Sequence, residues 1–337
     1  MSSPAFRSTI SRYFNGACFT VKDGMMSAVL PGYPFDKNAP RVLAEYAKES
    51  VLEPEGIPIK ISIPPYTGTN QGVLDMKMAL QDLKKDLAYA FVHGSLAIGE
   101  EIAYSDFDGL IVLKAEVFSN ARRLSQVARK INQTRAIMLR IDPLQHHGWF
   151  VLNESDLSHY PETYLPSDVL KESRSLLSDK EETINLYPEQ NTDYYLPLKE
   201  LCRHLRKKTQ YSGQPATLYQ LKSFLSEFMM LPALYVQARD RKGIFKKYSF
   251  TEAAKDFKEE DWSIIEEVSM IRSQWPKEMS AFHRKKFQKI GYFWTQYRKN
   301  LGPGIPAQFK ERLDQKFYER VASLANLSEV YVFSLDN

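Results

Sequence analysis

Two carboxylates, Asp106 and Asp108, stand one residue apart at the head of the apolar run "DFDGLIVL". A second polar pair, Gly94-Ser95, closes the preceding apolar run "YAFVHGS". Side chains of a strand alternate between faces, so the two acids share a face if the chain is extended from Asp106 onward. Side by side they repel, and each raises the other's pKa. A divalent cation removes that penalty, and hard oxygen ligands suit Mg²⁺. Gly94 permits a sharp turn and a close approach of another group. Ser95 adds a hydroxyl and a backbone N–H suited to a phosphate. A phosphate cradle beside a divalent-metal site is the layout of nucleoside triphosphate chemistry.

Two plainer readings compete. In one, Asp106 and Asp108 are solvated turn residues and Ser95 caps a helix. In the other the stretch is a calcium loop. That reading fails on spacing, because "DFDGLIVLKAEV" turns apolar where further ligands and a terminal Glu are required. The chain has no P-loop, no His-Glu-x-x-His, no Cys-x-x-Cys and no Gly-x-Ser-x-Gly elbow.

The elements that must position these residues follow from hydrophobic spacing. In "NQGVLDMKMALQDLKKDLA" the apolar residues Val73, Met76, Leu80, Leu83 and Leu87 recur near a period of 3.6 and specify an amphipathic helix. Strands are expected at "YAFVHGS" and "DFDGLIVL", a helix at "AEVFSNARRLSQVARKINQ", then strands at "RAIMLRID" and "HHGWFVLN". Upstream, "APRVLAEYAKESVL" reads as a short helix and "GIPIKISIPPYTG" as an edge strand ended by Pro64-Pro65. After about residue 155, Pro161, Pro166, Pro188 and Pro197 mark a loop-rich bridge. Helices are expected from "YYLPLKELCRHLRKK" onward, the strongest being "ATLYQLKSFLSEFMMLPALYVQAR", kinked at Pro232. Three regions result: an N-terminal extension of unread role (1–70), a mixed α/β domain (71–157) and a mostly helical part (158–337).

The stretch "GSLAIGEEIAYSDFDGLIVL" resembles the nucleotidyltransferase signature of the DNA polymerase beta superfamily: Gly-Ser, a spacer of about ten residues, then Asp-x-Asp leading into an apolar strand. Ala97, Gly99 and Ser105 make it look most like the minimal and aminoglycoside-type members. The motif covers about 25 residues, and the helix–strand–strand–helix–strand order around it matches that fold. The resemblance implies an α+β chain: a mixed-sheet, polymerase-beta-like domain followed by a helical domain. It implies a transferase in which Asp106 and Asp108 hold two Mg²⁺ ions and Gly94 and Ser95, with Ser105 nearby, bind the nucleotide. A hydroxyl attacks the α phosphorus, and pyrophosphate leaves. A third carboxylate on a later strand usually completes such a site, and Asp142, at the end of "AIMLRID", is the candidate. Pro143 directly after it weakens a mid-strand placement and fits a turn equally. His146 shares a face with Asp142 if the chain stays extended, and His146 or His147 is the other candidate. His93 is expected as inward-facing support.

The helical part resembles, more weakly, that of aminoglycoside-type nucleotidyltransferases, which closes the cleft and shapes the acceptor pocket. Lys246 and Lys247 are then cations for the triphosphate, or else a solvated basic loop. The runs "CRHLRKK" and "HRKKFQK" are basic, and "GYFWTQYRK" adds aromatics, a pattern that suits either an exposed helix face or a nucleic acid. ATP binding and transfer of AMP to a small-molecule hydroxyl is the favoured expectation. The alternatives are modification of an RNA, tRNA or protein, synthesis of a signalling oligonucleotide, and a silent regulatory or antitoxin-like member.

Bulk properties limit the partners. The 337 residues carry 45 basic and 41 acidic side chains, a net charge of +4, too small to argue for nucleic-acid binding by itself. Two distant cysteines, Cys18 and Cys202, suggest a reducing compartment, and a cytoplasmic location is expected. The start lacks the apolar core of a secretory leader. The longest apolar stretch, "FLSEFMMLPALYV", is short and contains Glu227, so no membrane partner is expected. Oligomeric state stays open.

Overall fold

A computed structural model describes residues 4–16, 38–49, 53–54, 56–210, 213–276 and 279–335. The first half contains helices α1 (Pro4–Phe14), α2 (Asn38–Tyr46), α3 (Gln71–Gln81), α4 (Ser95–Ile98) and α5 (Ala121–Ile141). Its strands are β1 (Ile59–Ile63), β2 (Leu87–His93), β3 (Asp108–Leu113) and β4 (Phe150–Asn153). Helix α6 (Ser167–Lys171) and strands β5 (Arg174–Ser175) and β6 (Glu182–Leu186) follow. The rest is helical: α7 (Tyr195–Thr209), α8 (Leu218–Phe228), α9 (Leu231–Asp240), α10 (Lys246–Ala254), α11 (Glu259–Ser273), α12 (Ala281–Phe287), α13 (Tyr292–Leu301), α14 (Ala307–Lys310) and α15 (Gln315–Leu335). The chain is therefore α+β. Among the described residues no helix is long and apolar enough to cross a membrane.

The central sheet is mixed, in the order β4-β3-β2-β5. β2 pairs antiparallel with β3 and β5, and β3 pairs parallel with β4. Strand alternation divides the sheet's side chains between two cores. Ile111 and Leu113 face α3 and α5, while Leu110 and Val112 face the ribbon β1–β6 and α6. The N-terminal helices belong to the first of these cores: Phe6, Ile10, Tyr13 and Phe14 of α1 and Val42 of α2 are buried in it. Tyr160, Leu165, Val169, Leu170, Ile184 and Leu186 pack on the opposite face together with β1, while Leu176 and Leu177 join the first core. The core of the helical half begins at Leu198 and includes Tyr104 and Leu144 from the first half, which join the two.

Three sequence expectations are corrected. The run "RAIMLRID" is not a strand but the last turns of α5, which continues to Ile141. Its buried residues Val127, Ile131, Thr134 and Met138 keep the 3.6 period without a break, so burial of one face carries the helix through the apolar run. Pro232 does not kink one long helix. It separates two, with Pro232 in the first turn of α9, where a missing N–H costs no helical hydrogen bond. The helix expected over "NQGVLDMKMALQDLKKDLA" is shorter: α3 stops at Gln81, and Leu87, expected on its apolar face, opens β2. Cys202 is a buried free thiol, and Cys18 lies outside the described residues.

Candidate functional site

β2 and β3 lie in a register that sets His93 opposite Asp108. The next residue, Gly94, therefore turns directly over the Asp108 carboxylate. It adopts φ +70° and ψ −157°, and a Cβ built there would lie 2.7 Å from Asp108 Oδ2. Both the backbone conformation and the contact exclude a side chain. Gly94→Ala is expected to cost about 1–3 kcal/mol in stability and to displace Asp108. Urea unfolding checks this, and an unchanged midpoint would contradict it.

Ser95 Oγ lies 2.9 Å from Ser105 Oγ, and Ser105 Oγ accepts the Ile102 N–H (2.9 Å). The two serines thus tie the Gly-Ser corner to the segment that leads into Asp106. Strand β3 begins at Asp108, so Asp106 lies just outside it. Gln145 replaces the missing strand pairing. Its Oε1 accepts the Phe107 N–H and its Nε2 donates to the Phe107 carbonyl, both at 2.9 Å. Phe107 is buried between the two acids, edge-on to Trp149.

Both carboxylates reach one imidazole. His147 Nε2 lies 3.1 Å from Asp106 Oδ2 and 3.1 Å from Asp108 Oδ1. The parallel pairing of Leu110 with Phe150, carried back along both chains, explains why: it sets the His146–Gly148 segment beside 106–108. Asn15, at the end of α1, fixes that segment. Its Oδ1 accepts the Trp149 N–H (2.8 Å) and its Nδ2 donates to the Trp149 carbonyl (2.9 Å). His146 Nδ1 is 3.6 Å from Asp106 Oδ2 and is buried without a hydrogen-bond partner. Asp106, His146 and His147 together form a group able to hold a metal ion.

The electrostatics follow from this geometry. Burial opposes the ionised form of Asp106, but the hydrogen bond and charge of His147, with Lys222 behind, hold its carboxyl well below the usual range. Burial also opposes a charged His147. The two carboxylates outweigh that and raise its pKa well above 6.5. His146 is pushed down to about 4, by burial and then by its neighbour His147. A raised pKa in the folded protein stabilises below the unfolded value and ceases to do so as pH rises through the folded value. Without metal, wild-type stability should therefore fall from about pH 6.5 upward more steeply than that of His147→Gln. Parallel unfolding curves across that range would contradict this.

The other expected residues divide. Lys246 is within electrostatic reach of the acids. Burial and the nearby Arg272 push its pKa down to about 8, while Asp108 and Asp106 pull it back up. Lys247 is instead held by Glu100 in the loop after α4, at 2.6 Å. His93 is buried behind the corner, its Nε2 without a partner. Asp142 is not brought to the pair by a strand. It caps the end of α5, where its Oδ1 accepts the Leu144 N–H (2.9 Å) and its Oδ2 binds the fully buried Lys222 ammonium (2.7 Å). Among the described residues, histidines rather than a third carboxylate complete the group around Asp106.

Several contributors lie outside the motif. Asn15, Gln145 and Lys222 act through contacts far apart in sequence and carry no local signal. Tyr104 is buried between cations, with Lys222 Nζ 4.8 Å and the Arg272 guanidinium 4.7 Å from its ring. Its hydroxyl donates to the Lys222 carbonyl (2.8 Å). The chain matches no protein-family model and no curated protein sequence.

Proposed function

We propose that this chain is a divalent-cation-dependent nucleotidyltransferase that moves a nucleoside monophosphate, AMP first among the candidates, from a nucleoside triphosphate to a hydroxyl acceptor. One observation carries the reading. The Gly94–Ser95 corner lies directly on Asp108, with no room for a Cβ, beside a second carboxylate that meets the same imidazole. A stretch made only of solvated turn residues has no need of that closeness.

The donor set fits a divalent cation. Asp106 and Asp108 supply hard oxygens suited to Mg²⁺, and the partnerless His146 Nδ1 adds a nitrogen that also suits Mn²⁺. When bound, such ions stabilise charge on the attacking and the departing oxygen. Ser95 offers its hydroxyl to the phosphates, and Lys246 brings positive charge from the helical half. Gln145 and Asn15 keep the carboxylates and the histidine segment in register, so that little reorganisation is needed when substrate arrives. The acceptor oxygen bonds to the α phosphorus, the bond to the β phosphate breaks, pyrophosphate leaves with the electron pair, and the hydroxyl proton passes to solvent.

A catalytically silent regulatory role is the second reading. The observation that favours it is Asp142, engaged by Lys222 instead of standing with the acidic pair. Mass spectrometry separates the two. The protein, Mg²⁺ or Mn²⁺ and each nucleoside triphosphate are incubated alone, with RNA, and with a metabolite extract. A nucleotide adduct, an extended RNA or a new oligonucleotide is the expected result. No new species under any condition would favour the silent reading.

A further inference from the structure

A cavity of about 440 Å³ lies where the end of α5 meets the helical half. Two of its lining residues stand close in sequence to the candidate site. Ala103 lines it three residues before Asp106, and Leu144 lines it two residues before His146. Asp142 forms part of its wall, and the charge of Asp106 opposes ionisation there. The volume is in the range of small-molecule sites.

The charges of the lining are one-sided. Arg140, His283 and Arg284 border the cavity, and the one carboxylate on its wall, Asp142, is matched by Lys222. Arg140 shares its guanidinium with Asp75 (3.0 Å), which leaves it further donors in a planar fork. His283 Nδ1 is bonded to Ser280 Oγ (2.9 Å), so Nε2 is the nitrogen it can offer. Trp275, buried and stacked on Phe309, supplies a rigid apolar wall.

We propose that this cavity is the acceptor site and that its occupant is an anionic hydroxyl compound of metabolite size, one bearing a phosphate or carboxylate. The exposed arginines that border the cavity hold such groups by charge-assisted hydrogen bonds and disfavour a polycationic acceptor. The choice of acceptor class rests on the nucleotidyltransferase reading. The anion site itself does not.

The test therefore has a binding arm and a transfer arm. Calorimetry measures binding of a hexose 6-phosphate, a nucleoside 5′-monophosphate, a hydroxy acid and a polycationic aminoglycoside to the wild type, Arg284→Glu and Arg284→Lys. The same compounds are then offered as acceptors with ATP and Mg²⁺. Binding of at least one anionic probe, weakened tenfold or more by Arg284→Glu and largely kept by Arg284→Lys, is expected. Transfer to that probe should show the change in KM more than in kcat. Thermal melting of each variant establishes that it is folded. Preference for the aminoglycoside, transfer to RNA alone, or anion binding indifferent to Arg284→Glu would overturn the proposal. Anion binding that depends on Arg284, in a protein that never releases pyrophosphate, would keep the site and sink the nucleotidyltransferase reading. Pyrophosphate release without any anion binding would do the reverse.

Discussion

Lys222→Met is expected to lower the unfolding free energy by about 3–5 kcal/mol at neutral pH, because it strands a buried carboxylate. The Lys222 side chain is fully buried, its ammonium 2.7 Å from Asp142 Oδ2. Asp142 is itself 5 % exposed, and apart from Lys222 its carboxylate receives the Leu144 N–H. Loss of the cation leaves the anion in low dielectric with one neutral donor, the situation in which breaking a buried pair costs most. The double variant Lys222→Met/Asp142→Leu should recover most of the loss, since removing both charges avoids the penalty that removing one creates. The loss should also shrink at acid pH, where a stranded Asp142 takes up a proton. Urea unfolding of both variants checks this. A single variant within about 1 kcal/mol of wild type would mean that the pair holds little of the structure together. The outcome matters for function, because this contact joins the end of α5 to the helical half beside the site.

If the proposed transfer takes place at this site, Asp106→Ala and Asp108→Ala should each reduce pyrophosphate release by about a thousandfold or more, roughly 4 kcal/mol of transition-state stabilisation. Each variant also removes one of the two carboxylates that hold His147, so some loss of stability accompanies it and melting must show that the variant is folded. The two acids repel each other, and each variant leaves His147 one carboxylate. The two losses of activity should not add, because the carboxylates act as one unit on the same charge. A double variant as active as either single one is the expected result. Loss of activity that tracks loss of fold, as shown by melting, would assign these residues a structural role instead.

How much of this was legible depends on how local each determinant is. The Gly-Ser corner, the acidic pair, β2, β3 and α3 are each specified within a few residues by apolar spacing and turn chemistry, and they appear near where the sequence indicates, although α3 stops at Gln81 so that Leu87, expected on it, opens β2, and β3 starts at Asp108. The expected strand at "RAIMLRID" was misread because a short apolar run fits either element, and the face it buries is decided by the whole of α5. The strand placement of Asp142 fell with it: its partner Lys222 is 80 residues away, and no spacing rule connects them. The histidines were half legible. Their neighbourhood to the acids follows from the parallel β3–β4 pairing, but which of the two bridges the carboxylates depends on side-chain geometry. The role of the first 70 residues was hidden for the same reason. Asn15 acts on Trp149 through tertiary contact alone.

The most direct measurement is pyrophosphate release from each labelled nucleoside triphosphate by the purified wild-type protein with Mg²⁺ or Mn²⁺, beside the Asp106→Ala/Asp108→Ala variant. Metal-dependent release by the wild type, absent from a folded double variant, is the predicted result. Equal release by both proteins, or no release and no metal-dependent nucleotide binding by the wild type, would contradict the assignment of nucleotidyl transfer to this site.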